Sequence, residues 1–280
     1  MRATMRWMAA VLAALSTGFC VGFTAPHASQ EPEAAEVFQV QAEENLFAMP
    51  ASHDGFSVEV LSSGPQLPAK RVLIYHSHTY EAYEQTAAPY RETEKWRTAD
   101  NAHNVVRVGQ ELAALLRSHG LEVVHDETAF EPPTLASAYT RSLAMLEGRL
   151  AAGETYDLCI DLHRDAYAAS STGTNTVNAG GVETARLMLL IGKGEGQTGQ
   201  GFDVKPDWQG NLAIAQRVTD ALNQQADGLC RDVCLKSGRF NQHVMKGCLL
   251  VEVGNNRNTL DEALAAMPWL ADALAEVLQE

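Results

Sequence analysis

Two histidines and a glutamate, His76, His78 and Glu81, fall within six residues, directly after the apolar run Val72-Leu73-Ile74-Tyr75. Such a run, preceded by the basic pair Lys70-Arg71, reads as a buried strand. In an α/β sheet, polar side chains at the carboxyl end of a buried strand are where the chemistry is placed. The spacing of His78 and Glu81 lets one loop bring an imidazole and a carboxylate to the same metal ion. Two further apolar stretches end in the same manner. Ile160-Asp161-Leu162 leads into His163-Arg164-Asp165, and the run from Cys248 to Val253 carries Glu252.

Two histidines and one carboxylate are an established ligand set for catalytic zinc, with a fourth position open to water. The metal lowers the pKa of that water to ~7 and polarises a scissile carbonyl. A further carboxylate must take the proton and pass it to the leaving amine. Glu252, on an apolar strand rather than a solvated helix, is the candidate. Each residue alone has a plainer reading. A histidine at a strand end can be a hydrogen-bonded loop residue, and Glu252 can cap a turn through Gly254, Asn255 and Asn256. Recurrence at three strand ends is what favours a metal hydrolase.

The elements that must position these groups follow from periodicity. Val105, Val108, Leu112, Leu115 and Leu116 recur at helical spacing, and Gly120 follows as a stop. A short strand is expected over 121–125. A helix is expected from Pro133 to near Gly153, and a strand over 156–162. A Gly/Asn/Thr-rich loop (170–181), an apolar strand (185–191), a helix (211–226) and strands near 233–236 and 248–253 come next. Thr259 to Glu262 is a capping box that opens the last helix. Strands alternating with helices give an α/β class: one three-layer domain with a mainly parallel twisted sheet flanked by helices.

The 280 residues carry 35 Asp+Glu against 21 Lys+Arg, a net charge of −14. That balance excludes a nucleic-acid ligand, whose phosphates require a basic face. Of the five cysteines, Cys230, Cys234 and Cys248 lie without a nearby histidine pair and make a poor zinc signature. Arg2 and Arg6 precede an uncharged run from Trp7 to Phe23, which reads as an export signal or membrane anchor over 1–29. Residues 30–66 hold seven acidic residues and no Lys or Arg, and are expected to be a solvated acidic linker. Within it, 55–61 alternates as an edge strand would. The catalytic domain is then expected over 67–280.

Five blocks carry a family resemblance: Leu73-Ile-Tyr-His-Ser-His-Thr-Tyr-Glu-Ala-Tyr83, Asn104-Val-Val-Arg-Val-Gly109, Asp161-Leu-His-Arg-Asp165, Arg239-Phe-Asn-Gln242 and Leu250-Val-Glu-Val-Gly254. In this order, over about 70–265, they resemble the stage II sporulation protein P family. The resemblance implies a zinc amidase/exopeptidase-like fold. It also implies N-acetylmuramoyl-L-alanine amidase and endopeptidase activity on septal peptidoglycan during engulfment. Partners implied with it are a lytic transglycosylase (stage II sporulation protein D) and a membrane scaffold protein, and the place implied is the extracytoplasmic face of the membrane. Other readings are a wall-binding scaffold without catalysis and a metallocarboxypeptidase acting on stem peptides. Phe240, where the family usually shows tyrosine, leaves room for the first of these.

Carried over by position, His163 matches a zinc histidine and Glu252 the catalytic glutamate. His78 is the expected first ligand, with His76 behind it orienting a ligand or substrate. The third ligand is expected to be Glu81, with Asp100 or His103 at the start of the first helix as alternatives. Arg164 is expected to fix the His163 loop or meet substrate carboxylates. Arg239, Asn241 and Gln242 are expected to line the peptide groove.

Overall fold

The computed structural model describes residues 69–86, 89–167, 175–196 and 202–279. The expectations for 1–29, 30–66 and the edge strand at 55–61 lie outside the described residues. No helix among the described residues is long and apolar enough to cross a membrane.

The elements run in the order β1 (Arg71–Tyr75), α1 (Val105–Ser118), β2 (Glu122–His125), α2 (Ala138–Ala151), β3 (Leu158–Asp165), β4 (Thr176–Ala179), β5 (Val182–Ala185), β6 (Leu187–Gly192), α3 (Trp208–Gln225), β7 (Cys234–Lys236), β8 (Cys248–Asn255), α4 (Leu260–Ala265) and α5 (Met267–Gln279). The described residues form a six-stranded sheet of order β2-β1-β3-β8-β6-β7, with β4 and β5 paired as a separate hairpin. Strands β2, β1, β3 and β8 are parallel to one another. β6 lies antiparallel to β8, and β7 follows the direction of β6. The expected α/β class and mainly parallel sheet are both present.

Alternation along the strands divides the molecule into two unequal cores. Val72 and Ile74, Leu158, Ile160 and Leu162, and Leu249, Val251 and Val253 pack with α1, α3 and α5 in the larger one. Leu73, Tyr75, Cys159 and Cys248 face the other side, where α2 covers them through Ala138 and Leu146. Asp161 and His163 continue the Cys159 face, and Leu250 and Glu252 continue the Cys248 face. The chemistry-bearing residues of β3 and β8 thus share the thinly covered side.

Local sequence accounts for most element ends. Asn104 caps α1 by accepting from the Val106 amide, and Gly120 leaves that helix at φ +84°. The expected capping box is formed, with the Thr259 side chain bound to the Glu262 amide and the Glu262 side chain reaching back to Thr259. Four elements differ from the sequence reading. Residues 135–137 form a 3-10 turn, so α2 begins at Ala138 rather than at Pro133. The expected loop 170–181 contains β4, and the expected strand 185–191 is split at Arg186 into β5 and β6. A hairpin in a Gly/Asn/Thr-rich stretch has no apolar alternation to betray it. The last helix breaks at Ala266, just before Pro268.

His76 lies under α1, where its Nδ1 hydrogen bonds the Leu162 carbonyl at 2.8 Å and its Nε2 meets His125 Nε2 at 2.8 Å. The carbonyl requires the proton on Nδ1, so Nε2 accepts from His125. Burial and the neighbouring His125 ring push His76 down to about 3. A Cβ on Gly109 would come within 2.6 Å of the His76 ring and 2.7 Å of His125, whereas one on Gly148 of α2 would meet nothing within 4 Å. Gly→Ala in a helix interior ordinarily gains up to about 1 kcal/mol. Gly148→Ala should therefore raise stability in urea denaturation. Gly109→Ala should lower it by about 1–3 kcal/mol through overpacking, and equal stabilisation by both would contradict the close approach.

Candidate active site

Past Tyr75 the chain leaves the sheet in a turn over 77–80, which swings His78 and Glu81 across the end of β3. His78 Nδ1 stands 3.4 Å from Glu81 Oε1, and His163 Nδ1 stands 3.2 Å from Glu81 Oε2. One donor atom from each of these three residues lies within 4.8 Å of the others. Among the described residues this is the group of histidine, cysteine and carboxylate side chains that could hold a metal ion. The His78 and His163 rings stand edge to face, with centroids 5.0 Å apart.

His163 is fixed from behind. Its Nε2 lies 2.8 Å from Asp161 Oδ1, and Ser77 donates to the same carboxylate through its amide (2.8 Å) and its hydroxyl (2.7 Å). With Nε2–H donated to Asp161, Nδ1 is the nitrogen that faces the site, protonated against Glu81 here and available to a metal ion that displaces that proton. Burial opposes charge on Glu81 and on His163, yet the neighbouring charges outweigh it. Arg164 and His163 hold the Glu81 carboxyl well below the usual range, and Asp161 and Glu81 hold His163 well above its own.

Glu252 is the register neighbour of His163 across β3 and β8. Its Oε2 is shielded from solvent and has no hydrogen-bond partner. Burial pushes its carboxyl up to about 8 despite the opposing charge of His163. The carboxyl is thus poised near neutrality, beside two imidazoles and a carboxylate that converge on one point.

Tyr139, at the start of α2, packs its ring against His78 (centroids 5.2 Å) and Phe240 (6.0 Å). From there a groove of about 390 Å³ runs between α2 and the 238–241 turn, lined by Tyr139, Leu143, Phe202, Arg239, Phe240 and Asn241.

A family model described as Stage II sporulation protein P (SpoIIP) matches residues 25–275. The chain belongs to the stage II sporulation protein P family. The resemblance carried by the five sequence blocks is therefore borne out. Stage II sporulation protein P of Bacillus subtilis (strain 168) is 26% identical over 219 residues, which cover 74% of this chain and 51% of that protein. The chain thus spans about half the length of the curated relative it matches. Among solved structures, N-acetylmuramoyl-L-alanine amidase AmiC2 of Nostoc punctiforme aligns with a TM-score of 0.44 at 17% identity, over 75% of this chain and 98% of that one. The CwlD amidase from Clostridioides difficile, in complex with the GerS lipoprotein, aligns with a TM-score of 0.47 at 13% identity, over 75% and 96% of the two chains.

Of the residues singled out in the sequence, His78, Glu81, His163 and Glu252 come together. Asp100 and His103 do not join them. They pair with each other at 2.9 Å on an exposed stretch before α1. His76 is also apart, because its ring turns under α1 to the Leu162 carbonyl and His125 instead of backing His78. Arg164 does not face a substrate. It is 5% exposed, donates to the Ala82 and Trp96 carbonyls, and lies 3.7 Å from Glu81, so it fixes the loop that carries Glu81. Arg239 does line the groove, its guanidinium 4.3 Å over the Phe202 ring. Asn241 reaches back to α2, donating to the Tyr139 carbonyl and Ser142 Oγ. Gln242 is internal. It is 2% exposed and clamps the Gly192 amide and Leu190 carbonyl of β6.

Asp161, Ser77 and Tyr139 were not singled out in the sequence. Asp161 had a signal, because two residues along a strand return to the same face. Tyr139 had none, being one residue of an unremarkable helix. The isosteric Asp161→Asn removes the negative charge and one of the two accepting oxygens behind His163 and Ser77, and should weaken divalent-metal affinity roughly 10–100-fold in a chelator competition titration. Asp100→Asn should leave it unchanged. The reverse ranking would move the third ligand to the first helix.

Proposed function

We propose that this chain is a zinc-dependent peptidoglycan hydrolase: an N-acetylmuramoyl-L-alanine amidase that cleaves between the lactyl group of the sugar and L-alanine, with endopeptidase action on cross-links. The observation that carries the reading is the convergence of His78, Glu81 and His163 beside the shielded carboxyl of Glu252. Family membership supports peptidoglycan as the polymer and sporulation engulfment as the setting.

The residues fit zinc. Two bonds of about 2.0–2.1 Å at a tetrahedral angle put the donor atoms about 3.3 Å apart. Glu81 offers one oxygen to each histidine, Oε1 at 3.4 Å from His78 and Oε2 at 3.2 Å from His163. One donor atom from each of the three residues lies within 4.8 Å of the others, a set that closes onto an ion with small side-chain adjustments. His78, Glu81 and His163 would hold the ion, Asp161 would keep His163 in the required tautomer, and Arg164 would keep Glu81 in place. Zinc, when bound, supplies a Lewis acid for the scissile carbonyl and lowers the pKa of a water.

Glu252 takes the proton of the attacking water and delivers it to the leaving amine. A carboxyl raised by burial to about 8 suits both steps, since a group near the working pH can accept and release a proton. A cation nearby favours its ionised form. The aromatic groove beside the histidines accepts the sugar, whose ring faces match those of Tyr139, Phe202 and Phe240. In this reading the protein works outside the cytoplasm, anchored by 1–29 or released from it. It works with a lytic transglycosylase, stage II sporulation protein D, and a membrane scaffold protein.

The test is digestion of purified sacculi, with products weighed by mass spectrometry. Free stem peptides beginning at L-alanine should appear, vanish with a chelator and return with zinc. Glu252→Gln should retain zinc and lose turnover by roughly 10²–10⁴-fold. Single C-terminal residues released from the peptides, with the sugar–peptide bond intact, would establish a carboxypeptidase instead. Tight sacculus binding without any soluble product would establish a scaffold.

A further inference from the structure

A second cavity of about 470 Å³, lined by Arg186, Met188, Cys230, Arg231, Asp232 and Cys234, lies along β6, the strand beside β8. Its position relative to the site follows from sheet register. Met188 on β6 is the antiparallel partner of Glu252 on β8. Directly paired residues point to the same face with Cβ atoms about 5 Å apart. Arg186, in the break just before β6, lines the same cavity as Met188. It stands opposite Gly254, whose amide donates to the Arg186 carbonyl at 2.9 Å.

The charges in this cavity differ from those of the chain as a whole, which is acidic. Arg231 is answered by Asp165, Nη1 to Oδ2, at 2.9 Å. Asp232 sits on the exposed rim. Arg186 is tethered through Nε to the Gly228 carbonyl at 2.6 Å, and neither Nη group has an acceptor among the described residues. Its guanidinium is therefore held by the backbone at one edge and open at the other. A planar fork in that state matches one ligand chemistry best, a carboxylate taken through two parallel hydrogen bonds.

We propose that Arg186 forms a carboxylate subsite for the peptide side of the substrate. It recognises a free carboxylate on the residue that follows the L-alanine released at the scissile bond. This rests on the amidase reading of the neighbouring site. The distances agree: two extended residues span about 7 Å, and Arg186 is offset from Glu252 by one strand and two residues. The sugar then lies in the aromatic groove and the acidic peptide runs over Met188 to Arg186. Arg164, the arginine nearest the ligands in sequence, is buried against Glu81 and cannot serve.

Binding tests the subsite separately from catalysis. The zinc-loaded full chain with Glu252→Gln would be titrated by calorimetry with N-acetylmuramoyl-L-alanyl-D-glutamate and with its α-amide, D-isoglutamine in place of D-glutamate. The free acid should bind at least roughly 10-fold more tightly, the scale of a charge-assisted pair. Arg186→Gln should bring the ratio to about one. Arg186→Lys, which keeps the charge and loses the fork, should retain a preference of only a few fold and serves if the glutamine variant fails to fold. No preference in the parent, or full preference in either Arg186 variant, overturns the subsite. Turnover by the unsubstituted chain is scored on the same pair. Preference in binding without cleavage faults the amidase reading alone, and cleavage without preference faults the subsite alone.

Discussion

Glu81 is a buried carboxylate, 6% exposed, in a stretch whose pairing among the described residues is limited to isolated bridges. A charge in that position is tolerated only when it is paired and hydrogen-bonded. Here the Arg164 amide donates to Oε2, the Arg164 guanidinium stands alongside, and two histidines flank the oxygens. The same guanidinium holds the Ala82 and Trp96 carbonyls. One buried arginine therefore ties the loop after β1 to the end of β3. The position of His78 depends on that tie, and so does the geometry of any metal ion held there.

The unequal coverage of the sheet explains why the site is accessible. The face carrying Val72, Ile160 and Val251 is packed by α1, α3 and α5, with the pair His76 and His125 buried under α1. Among the described residues the opposite face is covered by one helix, α2, and its strand ends carry Asp161, His163 and Glu252. One cavity is aromatic, beside His78 through Tyr139, and another, lined by Met188, the register partner of Glu252, bears arginines. An acidic chain can still bind an acidic polymer in this arrangement, because recognition depends on the local charge of the cleft rather than the net charge of −14.

The ligand pairs also show why neighbouring residues in sequence have different duties. Asp161 and His163 share a face because both lie on β3. Arg164, one residue on, turns away from them to serve the loop. The Cys159 and Cys248 thiols lie at paired register positions on β3 and β8, both buried and free, as small packing groups beneath the site.

Much of this was legible in the chain itself. Apolar runs of strand length, helical spacing in 105–116 and the capping box at Thr259 reflect local physics, and they marked out the α/β order. Residues fit for metal chemistry at three strand ends were visible for the same reason, since alternation and burial are written in residue type. Folding decided what local rules cannot reach. His76 and His78 are equivalent by alternation, but the strand stops at Tyr75 and the turn that follows sends them to different layers. Of the two duties expected for Arg164, the structure shows the loop-fixing one. Asn241 lines the groove yet spends its amide on α2, and Gln242, expected in the groove, satisfies buried groups of β6, all positions set by distant segments. Tyr139 stands against His78 because α2 packs over the thinly covered face of the sheet, and Arg186 comes near β8 because β6 lies antiparallel beside it. Sequence fixes the types and periods of side chains, whereas only tertiary packing sets which of them face one another.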